Sequence, residues 1–474
     1  PAFAPVTQAG FTASVHRNMD KPVTNAPRQA EGEINTSPRR ADWAERNHDT
    51  ATQELLAEDA RHFLHQSVST PCLSAIAKAE GAYIEDVQGR RYLDFHGNNV
   101  HHIGYGHPRL VAAIKDQLDT LSFSPRRFTN EISVQLAERL GRLAPADLNR
   151  VLFTTGGSDA VEVALKIARA ATGRFKTLSF WDAFHGAGFG ASSVGGEATF
   201  RSHIAGPLTP GAEHVAPFAC YRCPYGHPGP ENCGLACASM VDYVLEREGD
   251  VAAVIAEPMR AVPQIPPPGY WQKVREACNR HGTLLIFDEI PTGLGKTGKF
   301  FSFDHDGVVP DICVVGKSLG GGILPIAAAI AREDLNVCGE FAIGHYTHEK
   351  NPVTARAALT TLDIIEDEGL VERSAQLGEY AMNRLRDFAL ACPIAGDVRG
   401  RGLMFGVEIV LDKETRLPAP ELAEKIYYKC LGRGLSFKIS QGCVLTLSPP
   451  LTIARQDLDV ALTIVETAIN ETVS

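Results

Sequence analysis

The sequence predicts an α/β protein, with a large domain built on a mostly parallel sheet and a second, smaller α+β domain. Short apolar runs that lack the alternation of half-exposed strands are separated by segments in which apolar residues recur at helical spacing. Runs buried on both faces and joined by helices are typical of parallel sheets. These runs cover residues 151–155, 251–257, 284–289 and 311–315.

Composition limits the functions that this chain can have. Its 474 residues carry 46 basic and 56 acidic side chains, a net charge of −10. Such a chain lacks a broad basic surface for nucleic acid, and an anionic membrane surface would repel it. No apolar run approaches the ~18 residues of a membrane span, and the 11 scattered cysteines are more typical of reduced thiols than of a disulfide framework. We therefore expect a cytoplasmic protein with neither a nucleic-acid nor a membrane partner.

The pattern along the chain indicates four segments. Residues 1–45 are rich in proline and show no sustained period, which predicts a tail or an arm over a partner subunit. A helix is predicted over residues 49–64, and a hairpin over residues 81–95. The predicted units after the tail are an N-terminal segment of the small domain (46–105), the large domain (106–343) and a C-terminal small domain (344–474).

Two of the apolar runs lead into residues suited to binding a phosphate and a ring nitrogen. Ligands of parallel sheets bind beyond the carboxyl ends of the strands. Gly157 and Ser158 open a helix there, where backbone N–H groups and the helix dipole favour a phosphate, although an ordinary N-cap also explains them. Asp288 ends a strand and could hold a protonated ring nitrogen or solvate a helix end.

Two further residues suit an amine nucleophile and a stacking ring. Lys317 stands between an apolar strand and a run of three glycines. Because lysine is rarely buried, this position is better explained by a nucleophile than by a surface charge. Phe184 follows another apolar segment and could stack on a flat ring. A phosphate site, a carboxylate, an aromatic ring and a lysine in this order indicate pyridoxal 5'-phosphate (PLP) as the cofactor.

With these motifs the sequence resembles the class III aminotransferases, which are PLP enzymes of fold type I. The resemblance extends from about residue 50 to the end of the chain. It implies a seven-stranded, mostly parallel sheet in the large PLP-binding domain. The matching stretches are residues 81–95, 104–108, 156–162, 184–186, 288–289 and 292–298, together with Lys317 and Asn351-Pro352.

The resemblance also implies a role for each cofactor-binding residue. Lys317 would bind PLP covalently and act as the catalytic base, and Asp288 would pair with the ring nitrogen. Thr347 would reach the phosphate of a neighbouring subunit, so the active enzyme would be a homodimer or a dimer of dimers. The remaining cofactor-binding residues would be Gly157 and Ser158 at the phosphate, and Phe184 and Ile290 on the two faces of the ring.

A late strand departs from the family pattern. Many members bind a substrate carboxylate through an arginine in the motif Ile-Arg-Phe-x-Pro-Pro-Leu, whereas residues 445–451 here place Thr446 at that position. A hydrogen bond to a charged group contributes about 1.5–3 kcal/mol, which threonine cannot replace. This argues against an ordinary transaminase for α-amino acids and 2-oxoglutarate, and leaves a transaminase with a different carboxylate clamp as the alternative. Glu257, the usual partner of that arginine, is then expected to face substrate or another cation.

Polar residues elsewhere are candidates for substrate binding. A cluster at residues 96–102 can hydrogen-bond a hydroxyl or a phosphonate oxygen. The arginines and the lysine of this set could bind an anion, or could form ordinary ion pairs at the surface. The candidates are His96, Asn98, Asn99, Arg126, Arg127, Glu257 and Lys350.

These departures resemble one subgroup of the family, the PLP ammonia-lyases that act on (R)-1-hydroxy-2-aminoethylphosphonate and are related to the phospholyases. That substrate has an amine and a phosphonate but no carboxylate, which agrees with the missing arginine. The resemblance implies elimination that yields phosphonoacetaldehyde and ammonia. A transaminase remains the alternative, because it begins with the same steps.

A cysteine-rich loop interrupts the large domain. Two close pairs, Cys220 with Cys223 and Cys233 with Cys237, are separated by nine residues. Four thiolates at such spacings could hold zinc or an iron–sulfur cluster. Free or opportunistically oxidised thiols also explain a loop that interrupts an otherwise complete PLP scaffold, so a metal-binding module is the weaker alternative.

Overall fold

The computed structural model describes residues 37–66, 69–201 and 206–473. A seven-stranded sheet forms the centre of the fold, in the order β4-β10-β9-β8-β7-β5-β6. The last five of these strands are mutually parallel, and β10 runs antiparallel to both of its neighbours. The strands are β4 (Leu148–Thr154), β5 (Lys176–Phe180), β6 (Ala212–Val215), β7 (Val251–Ala256), β8 (Leu284–Asp288), β9 (Ile312–Val315) and β10 (Ala327–Arg332).

Two four-stranded sheets form the smaller part of the fold. One has the order β1-β2-β3-β13 and the other the order β11-β12-β15-β14. The first sheet joins the predicted N-terminal hairpin to a strand from the end of the chain, since β13 pairs with β3 in parallel. These strands are β1 (Ile76–Glu80), β2 (Tyr83–Asp86), β3 (Arg91–Asp94), β11 (Ala395–Arg401), β12 (Met404–Ile409), β13 (Leu435–Ser436), β14 (Lys438–Ser440) and β15 (Val444–Leu447).

Helices cover the central sheet and the smaller sheets. The helix α5 packs against strands of the central sheet with its small apolar side chains, which are fully buried. Among the described helices, none has both the length and the apolar character that crossing a membrane requires. The helices are α1 (Pro38–Asn47), α2 (Thr50–His62), α3 (Pro108–Thr120), α4 (Glu131–Leu143), α5 (Gly157–Thr172), α6 (Phe189–Val194), α7 (Ala198–Arg201), α8 (Ala236–Glu248), α9 (Tyr270–His281), α10 (Pro352–Asp367), α11 (Leu370–Ala391), α12 (Pro420–Leu431) and α13 (Arg455–Val473).

The last part of the predicted tail or arm forms a helix. Residues 38–47 form α1, whose N-terminus is capped by the Ser37 hydroxyl. Trp43 on this helix is buried, and its ring centroid lies 6.2 Å from that of Tyr428 on α12. One large apolar side chain docked on the small domain therefore orders a segment that shows no apolar period. The rest of the predicted tail, residues 1–36, lies outside the described residues.

Candidate active site

Contacts between strand ends bring the predicted site residues together. Ile290, just after β8, is the nearest neighbour of the position that a Cβ on Gly157 would occupy, at 2.7 Å. A Cβ on Gly186, in the loop after β5, would lie 2.5 Å from the Ser158 hydroxyl. A Cβ on Gly316, directly after β9, would lie 3.5 Å from Ile290. The ends of β4, β5, β8 and β9 therefore converge on one site.

The start of α5 has the features of a phosphate cradle. The helix begins at Gly157, and its N-cap residue, Gly156, makes no side-chain capping bond. Backbone N–H groups at the first turn are therefore directed toward the site with the positive end of the helix dipole. Ser158 Oγ accepts a hydrogen bond from the backbone N–H of Ala187, at 3.0 Å. This bond fixes the hydroxyl between α5 and the loop after β5.

Asp288 is a buried carboxylate held by two donors. The backbone N–H of Ile290 donates to Oδ1 at 3.1 Å, and His185 Nδ1 donates to Oδ2 at 2.8 Å. Both side chains are at most 3% exposed. His185 therefore orients the carboxylate that is suited to a protonated ring nitrogen. The sequence pattern does not predict this role, and the only signal for it is the position of His185 beside Phe184.

Lys317 lies in a strained turn directly after the fully buried strand β9. Its φ angle is 47°, in the left-handed region that costs non-glycine residues free energy. The following glycines allow close packing, because a Cβ on Gly321 would lie 2.2 Å from Leu110 of α3. The lysine is half-buried, and its charge contributes to lowering the pKa values of His96 and His102. Strain at a lysine beside converging strand ends is typical of a functional position.

The two residues predicted to contact the cofactor ring lie at the same edge of the sheet. Phe184 is half-buried and packs on Phe200, with ring centroids 4.5 Å apart. Ile290 is 9% exposed and lies against the start of α5. Their stacking on the two ring faces stays a prediction.

The polar segment at residues 96–99 packs against the turn of Lys317. Its 97–99 turn contacts the turn at Lys317–Gly320. Asn99 Oδ1 accepts a hydrogen bond from Ser448 Oγ at 2.5 Å, and Asn98 adopts a φ of 47°. Burial lowers the pKa of His96 to about 4. This imidazole is therefore neutral at pH 7.

Glu257 lies close enough to His185 and Asp288 for their charges to affect its pKa. The side chain is 6% exposed, and its Oε2 accepts a hydrogen bond from the backbone N–H of Ala261 at 2.9 Å. Burial raises the pKa of Glu257, and the positive charge of Arg260 opposes that shift. Arg260 in turn donates to the backbone oxygen of Asp182 and to the side chain of Gln264. The charge of Arg260 therefore acts on Glu257, in a protein that lacks the arginine of the family pattern.

The remaining candidate residues lie on one surface. Arg126 Nη2 lies 2.5 Å from His345 Nε2, while the side chains of Asn130 and Ser133 donate to the backbone oxygen of Lys350. The described contacts of this surface join residues 123–133 to residues 345–351. Three of the predicted residues are exposed on it, namely Arg127, Thr347 and Lys350. A role for this surface at the active site of a neighbouring subunit stays a prediction.

The cysteine loop gives the metal hypothesis little support. The thiols of Cys220, Cys223, Cys233 and Cys237 are free and line, together with His227, a cavity of about 20 Å³. Burial raises the pKa of Cys237 to about 11, which favours the neutral thiol. In the part of the chain that the structure describes, no group of three or more His, Cys, Asp or Glu residues is arranged to hold a metal ion.

Thr446 in β15 offers a hydroxyl where the family pattern has a guanidinium. The side chain is 4% exposed, and its Oγ1 donates to Ser440 Oγ at 2.9 Å. This strand position is therefore polar but uncharged.

The donor set fits PLP. An uncapped helix start and a hydroxyl are available for the phosphate, a buried carboxylate for the ring nitrogen, and a lysine for the aldehyde carbon. The missing side chain of Gly157 leaves room that a Cβ would fill. Together with the central sheet, this set defines a PLP-dependent enzyme of fold type I.

Comparisons with known proteins identify the family. The family described as Aminotransferase class-III matches residues 65–469. The (R)-1-hydroxy-2-aminoethylphosphonate ammonia-lyase of Vibrio splendidus (strain 12B01) is 45% identical over 93% of this chain and 95% of its own length. The leucine/methionine racemase of Thermococcus litoralis is 37% identical over 88% of this chain and 95% of its own. A thermostable (S)-enantioselective omega-transaminase from Thermomicrobium roseum superposes with a TM-score of 0.83 at 30% identity, over 90% of this chain and 100% of that one.

The chain therefore belongs to the class III aminotransferases. It is a PLP-dependent enzyme.

Proposed function

We propose that this enzyme is an ammonia-lyase that converts (R)-1-hydroxy-2-aminoethylphosphonate into phosphonoacetaldehyde and ammonia. The observation that carries the proposal is Thr446, a buried uncharged side chain where a carboxylate-binding arginine is usual in the family. A substrate without a carboxylate has no need of that arginine. The Vibrio splendidus relative named for this reaction supports the same substrate.

The residues of the site divide the work of the reaction. PLP, when bound, withdraws electrons from the carbon that carries the amine and so acidifies its C–H bond. Asp288, oriented by His185, would hold the positive charge of the ring nitrogen. The first turn of α5 and Ser158 would hold the phosphate. These residues would thus hold the cofactor at both ends.

Lys317 removes the proton from the carbon that bears nitrogen and returns it to the hydroxyl on the next carbon, which leaves as water. The resulting enamine takes up one water molecule to give phosphonoacetaldehyde and ammonia. The net change is therefore loss of ammonia alone. His96 lies beside the turn of Lys317 and is neutral at pH 7, so it can hydrogen-bond the leaving hydroxyl without adding a charge.

A transaminase is the second candidate, because a structural relative is an omega-transaminase. The same residues would bind the cofactor and remove the same proton. The two reactions differ in the next step, since a transaminase returns the proton to the cofactor and then needs a keto acid or an aldehyde.

The deciding experiment mixes the PLP-loaded protein with (R)-1-hydroxy-2-aminoethylphosphonate in the absence of any keto acid. Ammonia release and the cofactor absorption are followed together. We expect many equivalents of ammonia per subunit with the absorption retained. 2-Aminoethylphosphonate, which lacks the leaving hydroxyl, is the matched control and should release none. A single turnover that converts the cofactor into its amine form, and that resumes only with added keto acid, would establish the transaminase instead.

A further inference from the structure

Four residues form one row across the β11-β12-β15-β14 sheet. Arg399 pairs with Gly406, Gly406 with Thr446, and Thr446 with Lys438. Directly paired residues of neighbouring strands present their side chains on the same face of a sheet. The position that lacks the family arginine therefore has a lysine beside it, one strand away.

The arginine at the other end of this row already has carboxylate partners. Arg399 Nη1 lies 2.6 Å from Glu408 and 2.8 Å from Asp397, and its Nε donates to the backbone oxygen of Pro263. Glu408 also pairs with Arg222, at 2.8 Å. Arg399 thus belongs to a buried ion-pair network between the small sheet and the large domain.

Lys438 lies next to two hydroxyl groups. It is half-buried, and the hydroxyls of Thr446 and Ser440 lie beside it on the same face, joined to each other by a hydrogen bond of 2.9 Å. A cation next to hydroxyl donors is a common arrangement for binding a phosphate-like group, whose oxygens accept hydrogen bonds from both.

The register of the other small sheet brings Lys438 close to His96. Ser436 of β13 pairs with Asp94 of β3, and the backbone N–H of Phe95 donates to Ser436 at 2.7 Å. Two residues further along the chain from this pair come Lys438, at the start of β14, and His96, just after β3. The charge of Lys438 contributes to lowering the pKa of His96, as does the charge of Lys317. Both lysines therefore act on this histidine.

We propose that Lys438 binds the anionic group of the substrate and takes over, from the neighbouring strand, the role of the missing arginine. This inference rests on the proposed function, which places the substrate amine at Lys317 and the phosphonate at the far end. A compact ammonium binds an anion as a point charge from any side, whereas the planar guanidinium binds carboxylates and phosphates through a fixed fork. The change of specificity would therefore come from the shifted position of the cation, one strand away from the position of the family arginine.

Binding measurements test this inference without relying on turnover. The PLP-loaded enzyme is titrated with 2-aminoethylphosphonate and, separately, with propylamine, an amine of similar length that lacks the anionic group. The change in cofactor absorption gives each half-saturation concentration. We expect Lys438→Met to weaken binding of the phosphonate about 10- to 100-fold, or about 1.4 to 2.8 kcal/mol, as for the loss of one charge-assisted hydrogen bond. Binding of propylamine should change less than about twofold, and Lys438→Arg should retain most of the phosphonate affinity.

Two controls complete the design. Lys413→Met removes an exposed lysine in a loop of the small domain and should leave both affinities unchanged. Lys438→Gln serves as the second variant where the methionine variant fails to load PLP. Equal weakening for both amines, no weakening, or a wild-type enzyme without preference for the phosphonate would overturn the inference. Selective weakening without ammonia release from the hydroxylated substrate would uphold Lys438 and reject the lyase.

Discussion

Replacing Gly186 by alanine should weaken PLP binding, because the added methyl group would collide with Ser158 at the start of α5. Gly186 has a φ of 132°, and an added Cβ would lie 2.5 Å from Oγ and 2.8 Å from Cα of Ser158. Because the second contact is with backbone, rotating a side chain cannot relieve it, and the start of α5 has to move. Overpacking of this kind costs about 1–3 kcal/mol. If that cost falls on the phosphate-binding conformation, PLP affinity drops about 5- to 150-fold.

The assay is a titration of the PLP-free protein with PLP, followed by absorption or by quenching of tryptophan fluorescence. Gly173→Ala is the matched control, since Gly173 also has a positive φ, of 66°, but no atom lies within 4 Å of its added Cβ. That variant should lose about 1–2 kcal/mol of stability through backbone strain and keep its PLP affinity. A folded Gly186→Ala protein that binds PLP as tightly as the wild type would refute the assignment of Ser158 and the loop after β5 to the phosphate.

Three further predictions concern charge and specificity. Asp288→Asn should retain PLP but lower the rate of ammonia release at least about 100-fold, because the positive charge on the ring nitrogen loses its partner. Asp288→Glu, assayed in parallel, should lose less activity. Equal rates for Asp288→Asn and the wild type would contradict this role of Asp288. Burial raises the pKa of Glu289 to about 8 from an ordinary value near 4.5. Between these two pH values the folded chain holds a proton that the unfolded chain releases. The free energy of unfolding therefore falls as pH rises. Between about pH 5.5 and 7.5, the free energy of unfolding of the wild type should therefore decrease relative to that of Glu289→Gln by about 1.4 kcal/mol per pH unit. Urea denaturation measures both. The same pH dependence for the two proteins would argue against a raised pKa of Glu289. Thr446→Arg should restore a carboxylate clamp and tighten binding of α-amino acids about tenfold or more. The half-saturation concentration is measured by cofactor absorption. An unchanged affinity for α-amino acids would show that this strand does not face the substrate.

Much of the fold follows from local patterns. The apolar runs become β7, β8 and β9, in which every residue is buried, because a strand covered on both faces must be apolar throughout. The predicted helix over 49–64 corresponds to α2 (Thr50–His62), and the hairpin forms from β2 and β3. Strand β10, which runs against its neighbours, has no comparable local signal, since its direction depends on pairing with β4 and β9.

The sequence by itself determined which residues stand at the strand ends, because each follows directly from a buried run or opens a helix. Lys317, Asp288 and Gly157 belong to this group. Only the tertiary structure decided which distant residues act with them. His185 reaches Asp288 across 103 positions, and Lys438 lies beside Thr446 through the register of two antiparallel strands. Periodicity reports whether a side chain is buried, whereas strand pairing and loop packing decide which side chain it meets, so these partners emerge only when the chain is folded.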